Sequence, residues 1–458
     1  MTADTPLPWL RISALVSLLA GLAVVALGWD RSFWYDEVFT LGAAAPGRPF
    51  DWAPLLGDVH PPTYILLVRA LGALTGPEPA IRAVNLLTVL PLLAAWVVLR
   101  PVLETNRRLL LFALLLGSGY FLTLILDLRA YALLLALSLL SQAVLHAHAC
   151  GRRQVPALAV TAALLTGLHF FGAAIGIAHL TLAAALDWRD GRRGAAAGLL
   201  LAGAALAAAT LVWAFGIART AGLLGGEMWI TNDLQPFLDF ASLQLPLLLV
   251  LLSLLPLRRL PVPETGAPLV VALAAPAMVL AVAAVISLHT PVISGRNLVV
   301  CVPGVTLAAV LRLPAPLLER FGRSPTLALA LLLSVGLYTQ QAVTDRQMIR
   351  WAVQAATPPE CEGAPIQVLQ PDIVDRFAME LFSAHPRPTI DFSDPVPDLP
   401  PGCDIVAMGW HQLGPVSDVT AFYAQQEIAT KAVLPPDPAL AETGEMTHGF
   451  VIRRVTSP

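Results

Sequence analysis

The sequence predicts an all-α polytopic membrane domain followed by a small α/β domain outside the membrane. Hydrophobic residues make up 57% of the 458 residues and charged residues only 13%, about half the charged fraction of soluble domains. Apolar runs long enough to cross a bilayer recur up to about residue 345. Beyond residue 350 the chain becomes Pro-rich and carries an ordinary density of charge. These three observations define the predicted fold class.

The membrane domain, residues 1–345, is predicted to contain about eleven transmembrane helices. A helix rises about 1.5 Å per residue, so roughly 20 apolar residues cross the hydrocarbon. The runs that approach this length are 9–28, 80–100, 109–126, 131–149, 155–169, 171–186, 195–216, 237–256, 267–288, 296–312 and 325–343. The first run resembles a signal peptide but lacks a clean small-residue cleavage site, so we interpret it as an uncleaved span.

Arginines in the loops between these runs predict the orientation of the chain. The clusters are Arg107-Arg108, Arg152-Arg153, Arg189 with Arg192-Arg193, Arg258-Arg259, and Arg320 with Arg323. All five fall in the cytoplasm, as the positive-inside rule requires, if the N-terminus is cytoplasmic and residues 60–75 form an amphipathic surface helix. This predicts a multi-pass inner-membrane protein whose C-terminal domain is periplasmic or extracellular.

The C-terminal region, residues 350–458, is predicted to fold as a small α/β domain. Strand-like runs alternate with helical patterns, the strands at 366–370, 404–409 and 449–454 and the helices at 372–384 and 417–428. Cys361 and Cys403 both lie in this region. An oxidising exterior would allow them to form a disulfide, and the alternative is two free buried thiols.

Two adjacent acids, Asp36 and Glu37, open the first polar stretch of the chain, in the external loop 29–79 that also carries the surface helix. A carboxylate at the lipid–water boundary can act as a general base, or bind a divalent metal together with phosphate oxygens. Adjacent helical positions point about 100° apart, so we expect only one acid to face the reaction. The alternative is a solvated acidic loop with an aromatic anchor.

Two histidines fall on the same predicted external face. His60 precedes Pro61-Pro62, which hold it in an extended conformation ahead of a helix. We expect His60 to donate to a phosphate or to orient a base, and the alternative is a helix start with a solvated histidine. His169 divides two short apolar runs and is a candidate site residue because it lies on the same face as Asp36. The alternative interpretation is a solvated histidine in a turn between spans.

Two arginines on that face are candidates for anion binding. Arg129 precedes Tyr131 near the outer end of a span, where a guanidinium can bind phosphate oxygens or serve as a plain interfacial anchor. Arg296 begins a span from the outside, against the positive-inside trend, and so requires an anionic partner or snorkelling to the interface. Together with the acids and histidines, these arginines suit a lipid-linked phosphate sugar.

Other partner classes fit the sequence less well. The formal net charge of −3 indicates no nucleic-acid partner. The cytoplasmic loops hold no Gly-rich phosphate loop and no Rossmann fingerprint, which disfavours a soluble nucleotide-sugar donor.

The order of these motifs resembles the GT-C superfamily of membrane glycosyltransferases, in the branch of the protein O-mannosyltransferases and lipid A aminoarabinose transferases. The matching pieces, over about residues 9–345, are Trp34-Tyr35-Asp36-Glu37, His60-Pro61-Pro62 with Tyr64, Arg82, Arg129-Ala130-Tyr131, His169-Phe170-Phe171-Gly172 and Arg296. Two positions depart from the family pattern, since His-Tyr-Phe is replaced by His169-Phe170-Phe171 and the late arginine precedes Asn297 rather than Tyr.

The resemblance implies roles for individual residues. Asp36, with Glu37 beside it, would be the catalytic carboxylate. The substrate-binding residues would be His60, Arg129, Tyr131, His169 and Arg296. Arg129 and Arg296 would hold phosphate. Some family members need a divalent metal, Mg or Mn, for which Asp36 is the candidate ligand here.

The expected activity is transfer of a sugar from a polyprenyl-phosphate carrier to a lipid, glycan or protein acceptor on the extracytoplasmic face. Two alternatives belong to other classes. A lipid-linked oligosaccharide transporter predicts ionisable residues through the membrane depth and internal repeats. A non-catalytic membrane scaffold predicts that only the C-terminal domain matters, through binding of a partner.

Overall fold

The computed structural model describes residues 6–29, 33, 35–44, 52, 55, 60–75, 83–220, 234–254, 266–289, 291–343, 349–368, 373–391, 394–395, 398–409, 430–433 and 450–454. The chain divides into two compact units. The first, the membrane unit, comprises Met1–Trp29 and Asp51–Val343, and the second comprises Asp30–Phe50 and Thr344–Pro458. Among the described residues of the predicted external loop 29–79, residues 33 and 35–44 belong to the second unit.

Helices dominate the described residues. In chain order they are α1 (Pro8–Leu27), α2 (Tyr35–Ala44), α3 (Thr63–Thr75), α4 (Val89–Leu99), α5 (Thr105–Leu116), α6 (Gly119–Leu124), α7 (Tyr131–Ala149), α8 (Val155–Leu168), α9 (Phe170–Arg189), α10 (Arg193–Thr220), α11 (Gln235–Ser242), α12 (Leu245–Leu254), α13 (Gly266–Ser287), α14 (Val302–Arg312), α15 (Ala315–Arg323), α16 (Thr326–Val343), α17 (Ile349–Ala356) and α18 (Ile373–Phe382). Short 3-10 turns cover Asn297–Cys301 and Pro359–Cys361.

Several helices are long and apolar enough to cross a membrane, which makes this a multi-pass membrane protein. Within the described residues there are five, α1, α7, α9, α10 and α13, or six if the bent segment from Asn297 to Arg323 counts as one span. These five coincide with the predicted spans at 9–28, 131–149, 171–186, 195–216 and 267–288. At the other six predicted positions the described helices are shorter or interrupted, so the number eleven stays a prediction.

Two predicted spans are interrupted, and a backbone hydrogen bond joins the two interruptions. The run 109–126 divides at Gly117-Ser118, where Ser118 Oγ caps the next helix by accepting from the backbone N–H of Phe121. The run 237–256 divides next to Leu243, whose carbonyl accepts from the N–H of Gly119 at 2.8 Å. Non-helical backbone is tolerated at membrane depth where other parts of the protein satisfy its polar groups. The paired breaks meet that condition.

Two glycines of α9 lie in close contact with α8. A Cβ added to Gly172 would lie 2.3 Å from the Leu165 carbonyl oxygen, and one added to Gly176 would lie 3.0 Å from the Cα of Ala162. Small residues spaced four apart let helix backbones approach closely in a membrane. The two glycines of α9 therefore seat it against α8, and this packing fixes the turn that carries His169.

The second unit contains a five-stranded sheet. Its strands are β1 (Ile366–Val368), β2 (Thr389–Asp391), β3 (Ile405–Gly409), β4 (Thr430–Val433) and β5 (Phe450–Arg454). They lie in the order β2-β1-β3-β5-β4, with β1 parallel to β2 and β3, and β5 antiparallel to β3 and β4. Three of these strands and α18 lie at predicted positions, whereas the predicted helix at 417–428 lies outside the described residues.

Aromatic packing joins α2 to the rest of the second unit. Gly42 of α2 sits against Phe377 of α18, where an added Cβ would come within 2.1 Å of the ring. The ring of Phe33, just before α2, stacks on Phe382 with centroids 6.2 Å apart. Burial of these rings is the physical reason why Phe33 and α2 belong to this unit.

Two covalent or polar features secure the remainder of the second unit. Cys361 and Cys403, the predicted pair, form a disulfide. The guanidinium of Arg387 is buried and donates to the carbonyls of Ala356, Ala364, Pro365 and Ile405 at 2.7–3.0 Å. Burial lowers the pKa of Arg387 to about 10. Arg387 thus satisfies carbonyls at the end of α17, in the segment before β1 and at the start of β3.

Candidate functional site

Three of the predicted substrate-binding residues meet in the membrane unit. The imidazole centroids of His60 and His169 lie 4.6 Å apart. The ring of Tyr131 lies 5.5 Å from His169 and 6.1 Å from His60, in the latter case edge to face. Tyr131 and His169 are buried and His60 is half-buried. We call these three residues the ring cluster.

Each member of the ring cluster sits at the start of a helix. His60 is followed by Pro61 and Pro62, which lack backbone donors and lead into α3. Tyr131 is the first residue of α7, and His169 is the N-cap of α9. Residue 167, near the end of α8, is a glycine, and a Cβ added there would lie only 2.8 Å from the hydroxyl oxygen of Thr63. The absence of a side chain at 167 therefore lets α3 pack against the end of α8. Three helix starts thus converge on one place.

Asn85 ties the segment before Tyr131 to α3. The hydroxyl of Tyr64 donates to Asn85 Oδ1 at 2.9 Å, and Asn85 Nδ2 donates to the carbonyls of Ile125 at 3.0 Å and Asp127 at 2.5 Å. Asn85 is buried, so these bonds form in a setting where an unsatisfied amide would be costly. Asn85 is not among the residues predicted from the sequence, because a lone asparagine near an apolar run carries no recognisable pattern.

His169 has one donor that the described protein groups do not satisfy. Its Nδ1 accepts from the backbone N–H of Phe171 at 3.1 Å, so the proton of the neutral ring must reside on Nε2. Nε2 is buried and has no hydrogen-bond partner among the described residues. Buried donors in native proteins nearly always have a partner. An oxygen atom of a ligand would satisfy this one.

Both histidines of the ring cluster are neutral at pH 7. Burial lowers the pKa of His169 to about 3, and the positive charge of Arg129 adds to the effect. The pKa of His60 is also lowered well below its ordinary value, first by burial, then by the charges of Arg129 and His169. Arg129, itself buried, therefore carries the positive charge of this site.

Arg296 lies on a segment that packs close to the helices of the ring cluster. It precedes the 3-10 turn Asn297–Cys301, which contacts both α7 and α9. The neighbouring Gly295 is held by two contacts, since its carbonyl accepts from the hydroxyl of Tyr120 at 2.6 Å and a Cβ at 295 would lie 2.9 Å from Asp239. The role of Arg296 in phosphate binding stays a prediction.

The two acids belong to the second unit and lie in the first turn of α2. Glu37 is fully buried and Asp36 is half-buried, because adjacent helical positions face different directions. The carbonyl of Asp36 accepts from the hydroxyl of Thr40 at 2.9 Å. Trp34 and Arg82, which also carry the family resemblance, lie outside the described residues.

Among the described residues, protein side chains alone do not form a metal site. No group of three His, Cys, Asp or Glu side chains suitable for a metal occurs among the described residues. Asp36 would hold a divalent ion only together with phosphate oxygens of the substrate, as hard cations are often held. The role of Asp36 as a metal ligand stays a prediction, and no step below depends on it.

A second buried polar group, which the sequence analysis also missed, crosses between α7 and α9. His179 Nδ1 lies 2.8 Å from the hydroxyl of Ser141, and its Nε2 lies 3.2 Å from Gln142 Oε1. All three side chains are buried. The sequence clue was present, because a histidine within a transmembrane run is by default a functional candidate.

Comparison with known proteins gives a result only at the level of structure. No protein-family model and no curated protein sequence matches the chain. The crystal structure of ArnT from Cupriavidus metallidurans in the apo state matches with a TM-score of 0.59 and 14% identity, over 96% of this chain and 99% of that one. The same protein bound to undecaprenyl phosphate matches with a TM-score of 0.56 and 14% identity, over 98% of both chains.

A third structure is less similar. The oligosaccharyltransferase of Archaeoglobus fulgidus, in complex with Zn and sulfate, matches over 81% of this chain and 62% of that one, with 13% identity and a TM-score of 0.40. The likeness to ArnT, a lipid A aminoarabinose transferase of the GT-C superfamily, extends over nearly the whole chain. It shows that the chain has the GT-C fold and so confirms the fold that the sequence resemblance implied.

Proposed function

Because the chain has the fold of the GT-C membrane glycosyltransferases, we propose that it transfers a sugar from a polyprenyl-phosphate carrier to a lipid, glycan or protein acceptor. The observation that carries this proposal is the buried, unsatisfied Nε2–H of His169 in a cluster whose charge is supplied by Arg129. A neutral donor beside a guanidinium suits an anionic oxygen that lies at the membrane boundary. The phosphate of a lipid carrier has this chemistry, and ArnT has been crystallised with undecaprenyl phosphate.

The residues of the ring cluster would act on the leaving phosphate. Arg129 would balance its charge, which grows as the bond between the sugar and the phosphate breaks. His169 would donate from Nε2 to a phosphate or sugar oxygen, and His60 and Tyr131 would supply further donors. Because these groups are already fixed at helix starts, they would need little reorganisation during the reaction. Arg296 would contribute a second cation to the same phosphate.

The acceptor would be activated by the acids. Asp36, the more exposed of the two, would take the proton of the acceptor hydroxyl or amine as general base. Glu37, which is fully buried, would support α2 rather than meet the acceptor. In this scheme the site faces the extracytoplasmic side of the inner membrane, the N-terminus is cytoplasmic, and the C-terminal region lies outside.

The test is release of free polyprenyl phosphate by the purified chain in nanodiscs, followed by mass spectrometry. The protein receives a panel of polyprenyl-phosphate sugars and a mixed lipid and peptide acceptor extract. Wild type is expected to release the carrier phosphate, and Asp36→Asn is expected to release it at least about 100-fold more slowly. Asp398→Asn, an exposed acid of the same unit, is the matched control and is expected to retain the wild-type rate.

Other outcomes bear on individual roles. Equal release by wild type and Asp36→Asn would remove Asp36 from the chemistry. Loss of release in EDTA, restored by Mg²⁺ or Mn²⁺, would support a metal held by Asp36 and the substrate phosphate. Absence of release with any donor, by folded wild-type protein, would count against a transferase.

One observation favours the second candidate function, a lipid-linked oligosaccharide transporter. His179 with Gln142 and Ser141 places a titratable side chain in the middle of a predicted span, as transporters commonly do. The two functions separate in sealed proteoliposomes. A transporter moves intact lipid-linked sugar across the bilayer, and His179→Leu abolishes that movement. A transferase instead cleaves the bond between the sugar and its carrier phosphate and does not move the lipid-linked sugar across the bilayer.

A further inference from the structure

The ends of α7 and α9 opposite the ring cluster carry two turns of the same sequence. Each helix is followed, after one capping residue, by Gly-Arg-Arg, at residues 151–153 and 191–193. Gly151 and Gly191 adopt left-handed conformations with φ of 85° and 78°. In both turns the glycine N–H donates to the carbonyl three residues back, and the next N–H donates to the carbonyl five residues back. This pairing is the Schellman motif, which leaves the two arginines beyond the helix end.

The two turns meet on one buried carboxylate. Asp187 is fully buried, and its Oδ1 accepts from Arg192 Nη2 at 2.6 Å and from Arg192 Nε at 2.8 Å. His148 Nε2 from the first turn lies 3.2 Å from the same oxygen, and Arg153 Nε lies 4.0 Å away. Asp187 therefore brings Arg153 of the first turn and Arg192 of the second turn close together, and so joins the two turns.

The joined turns carry more positive charge than their own acids balance. Arg152, Arg153, Arg189, Arg192 and Arg193 face only two aspartates, Asp187 and Asp190, so three positive charges remain. Asp190 forms ion pairs with Arg192 at 2.8 Å and with Arg189 at 3.3 Å. Arg152 and Arg193 are exposed, and within the described part of the chain no carboxylate lies within ion-pair distance of either. This excess of positive charge makes the surface attractive to anions.

The surface next to these arginines is apolar and exposed. Trp188 is 59% exposed and lies 5.7 Å from the guanidinium of Arg193. Leu200 and Leu201 of α10 are 48% and 72% exposed, and they lie roughly 11 Å along the helix from Arg193. A tryptophan at a boundary with arginines on one side and exposed leucines on the other is the pattern of a membrane interface. An anion bound at this surface is therefore expected to carry hydrocarbon.

We propose that the paired Gly-Arg-Arg turns bind the headgroup phosphate of an anionic phospholipid, with Arg152 and Arg193 on the phosphate and Trp188 at its glycerol level. The acyl chains would run along Leu200 and Leu201. This site lies about 27 Å from the ring cluster, the length of α7, and is separate from the site of the proposed sugar transfer. It stands or fails independently of that activity, because it concerns the opposite boundary of the same helices.

The experiment measures binding of dioleoyl-phosphatidylglycerol and dioleoyl-phosphatidylcholine to the full-length chain by native mass spectrometry from detergent. Wild type is expected to retain phosphatidylglycerol preferentially. Arg152→Gln/Arg193→Gln removes two cations that do not contact Asp187, and is expected to weaken phosphatidylglycerol binding by roughly 10- to 30-fold. Arg312→Gln/Arg320→Gln removes two exposed arginines elsewhere in the membrane unit and is expected to leave that binding within about 2-fold.

Three results would overturn the proposal. They are equal retention of the two lipids by wild type, an equal loss in the control pair, and displacement of the lipid by inorganic phosphate alone. If the variant does not fold, the proposal is tested on wild type by crosslinking with a photoreactive phosphatidylglycerol and mapping the crosslinked residues. Crosslinks within residues 188–201 support the site, and crosslinks spread evenly over the membrane unit reject it.

Discussion

At the scale of single residues, the protonation of the ring cluster determines what it can do. His60 and His169 are neutral because burial and Arg129 disfavour their charged forms. Neutral imidazoles donate hydrogen bonds without competing with Arg129 for a counterion. The sequence predicted His60, Tyr131 and His169 from their positions beside apolar runs. It could not predict their protonation, which depends on side chains distant along the chain.

The unsatisfied donor of His169 leads to the first prediction. His169→Phe keeps an aromatic ring at this position but removes Nε2–H, together with the Nδ1 that accepts from the N–H of Phe171. A hydrogen bond to a charged oxygen contributes about 1.5–3 kcal/mol. We therefore expect kcat/KM for the polyprenyl-phosphate donor to fall by about 10- to 100-fold. His289→Phe changes an exposed histidine of the same unit and serves as the control. An unchanged kcat/KM in correctly folded His169→Phe would show that Nε2 does not meet the donor.

The lowered pKa of His169 predicts how stability varies with pH. Since its folded pKa of about 3 lies below the ordinary value of 6.5, the unfolded chain takes up the proton first as pH falls. The folded state should thus lose about 2 kcal/mol between pH 7 and pH 5 from this group alone. Thermal unfolding of wild type and His169→Gln in nanodiscs at the two pH values measures this. Equal pH dependence in both proteins would contradict the buried neutral state.

At the scale of elements, hydropathy located the long spans but not the breaks within others. The mean hydropathy over residues 109–126 is insensitive to Gly117-Ser118, although a glycine followed by a capping serine signals the end of one helix and the start of the next. The break is stabilised by the N–H···O bond from Gly119 to Leu243 and by the hydroxyl of Tyr338, which donates to the Ser242 carbonyl. Such partners come from elsewhere in the chain, so no local pattern reveals them.

The packing of α9 on α8 provides a prediction at this scale. In Gly172→Ala the new Cβ would lie 2.3 Å from the backbone oxygen of Leu165, so the helices must separate. Overpacking of this kind costs about 1–3 kcal/mol, and the shift moves His169, three residues away. We expect a lower unfolding temperature and weaker donor turnover. Gly198→Ala, which meets nothing within 4 Å, should leave both unchanged. Equal behaviour of the two variants would show that α9 does not depend on close contact there.

At the scale of the whole molecule, the sequence does not reveal that Phe33 and α2 pack within the second unit. The reason is that α2 joins α18 through Gly42 and Phe377, a contact between positions more than 300 residues apart. Long-range packing of this kind is not readable from one sequence without an alignment. The consequence is functional, because Asp36 and Glu37 are supported by the second unit.

The disulfide yields a prediction for the stability of that unit. It closes a loop between residues 42 positions apart, and the loss of such a link costs up to about 4 kcal/mol in the chain-entropy account. Cys361→Ser/Cys403→Ser should therefore make the C-terminal region more sensitive to limited proteolysis, with fragments ending near residue 345. Cys150→Ser removes a thiol of the membrane unit and should leave proteolysis unchanged. Identical fragment yields from all three proteins would mean that the bond adds no stability.

The native cysteines also test the predicted orientation of the whole chain. Cys150 is the exposed free thiol, at the turn predicted to be cytoplasmic, whereas Cys301 is buried and Cys361 and Cys403 are bonded. A membrane-impermeant maleimide should thus label nothing on intact cells and should label Cys150 after permeabilisation. Labelling of Cys150 on intact, unreduced cells would invert the orientation and place the paired Gly-Arg-Arg turns on the outer boundary.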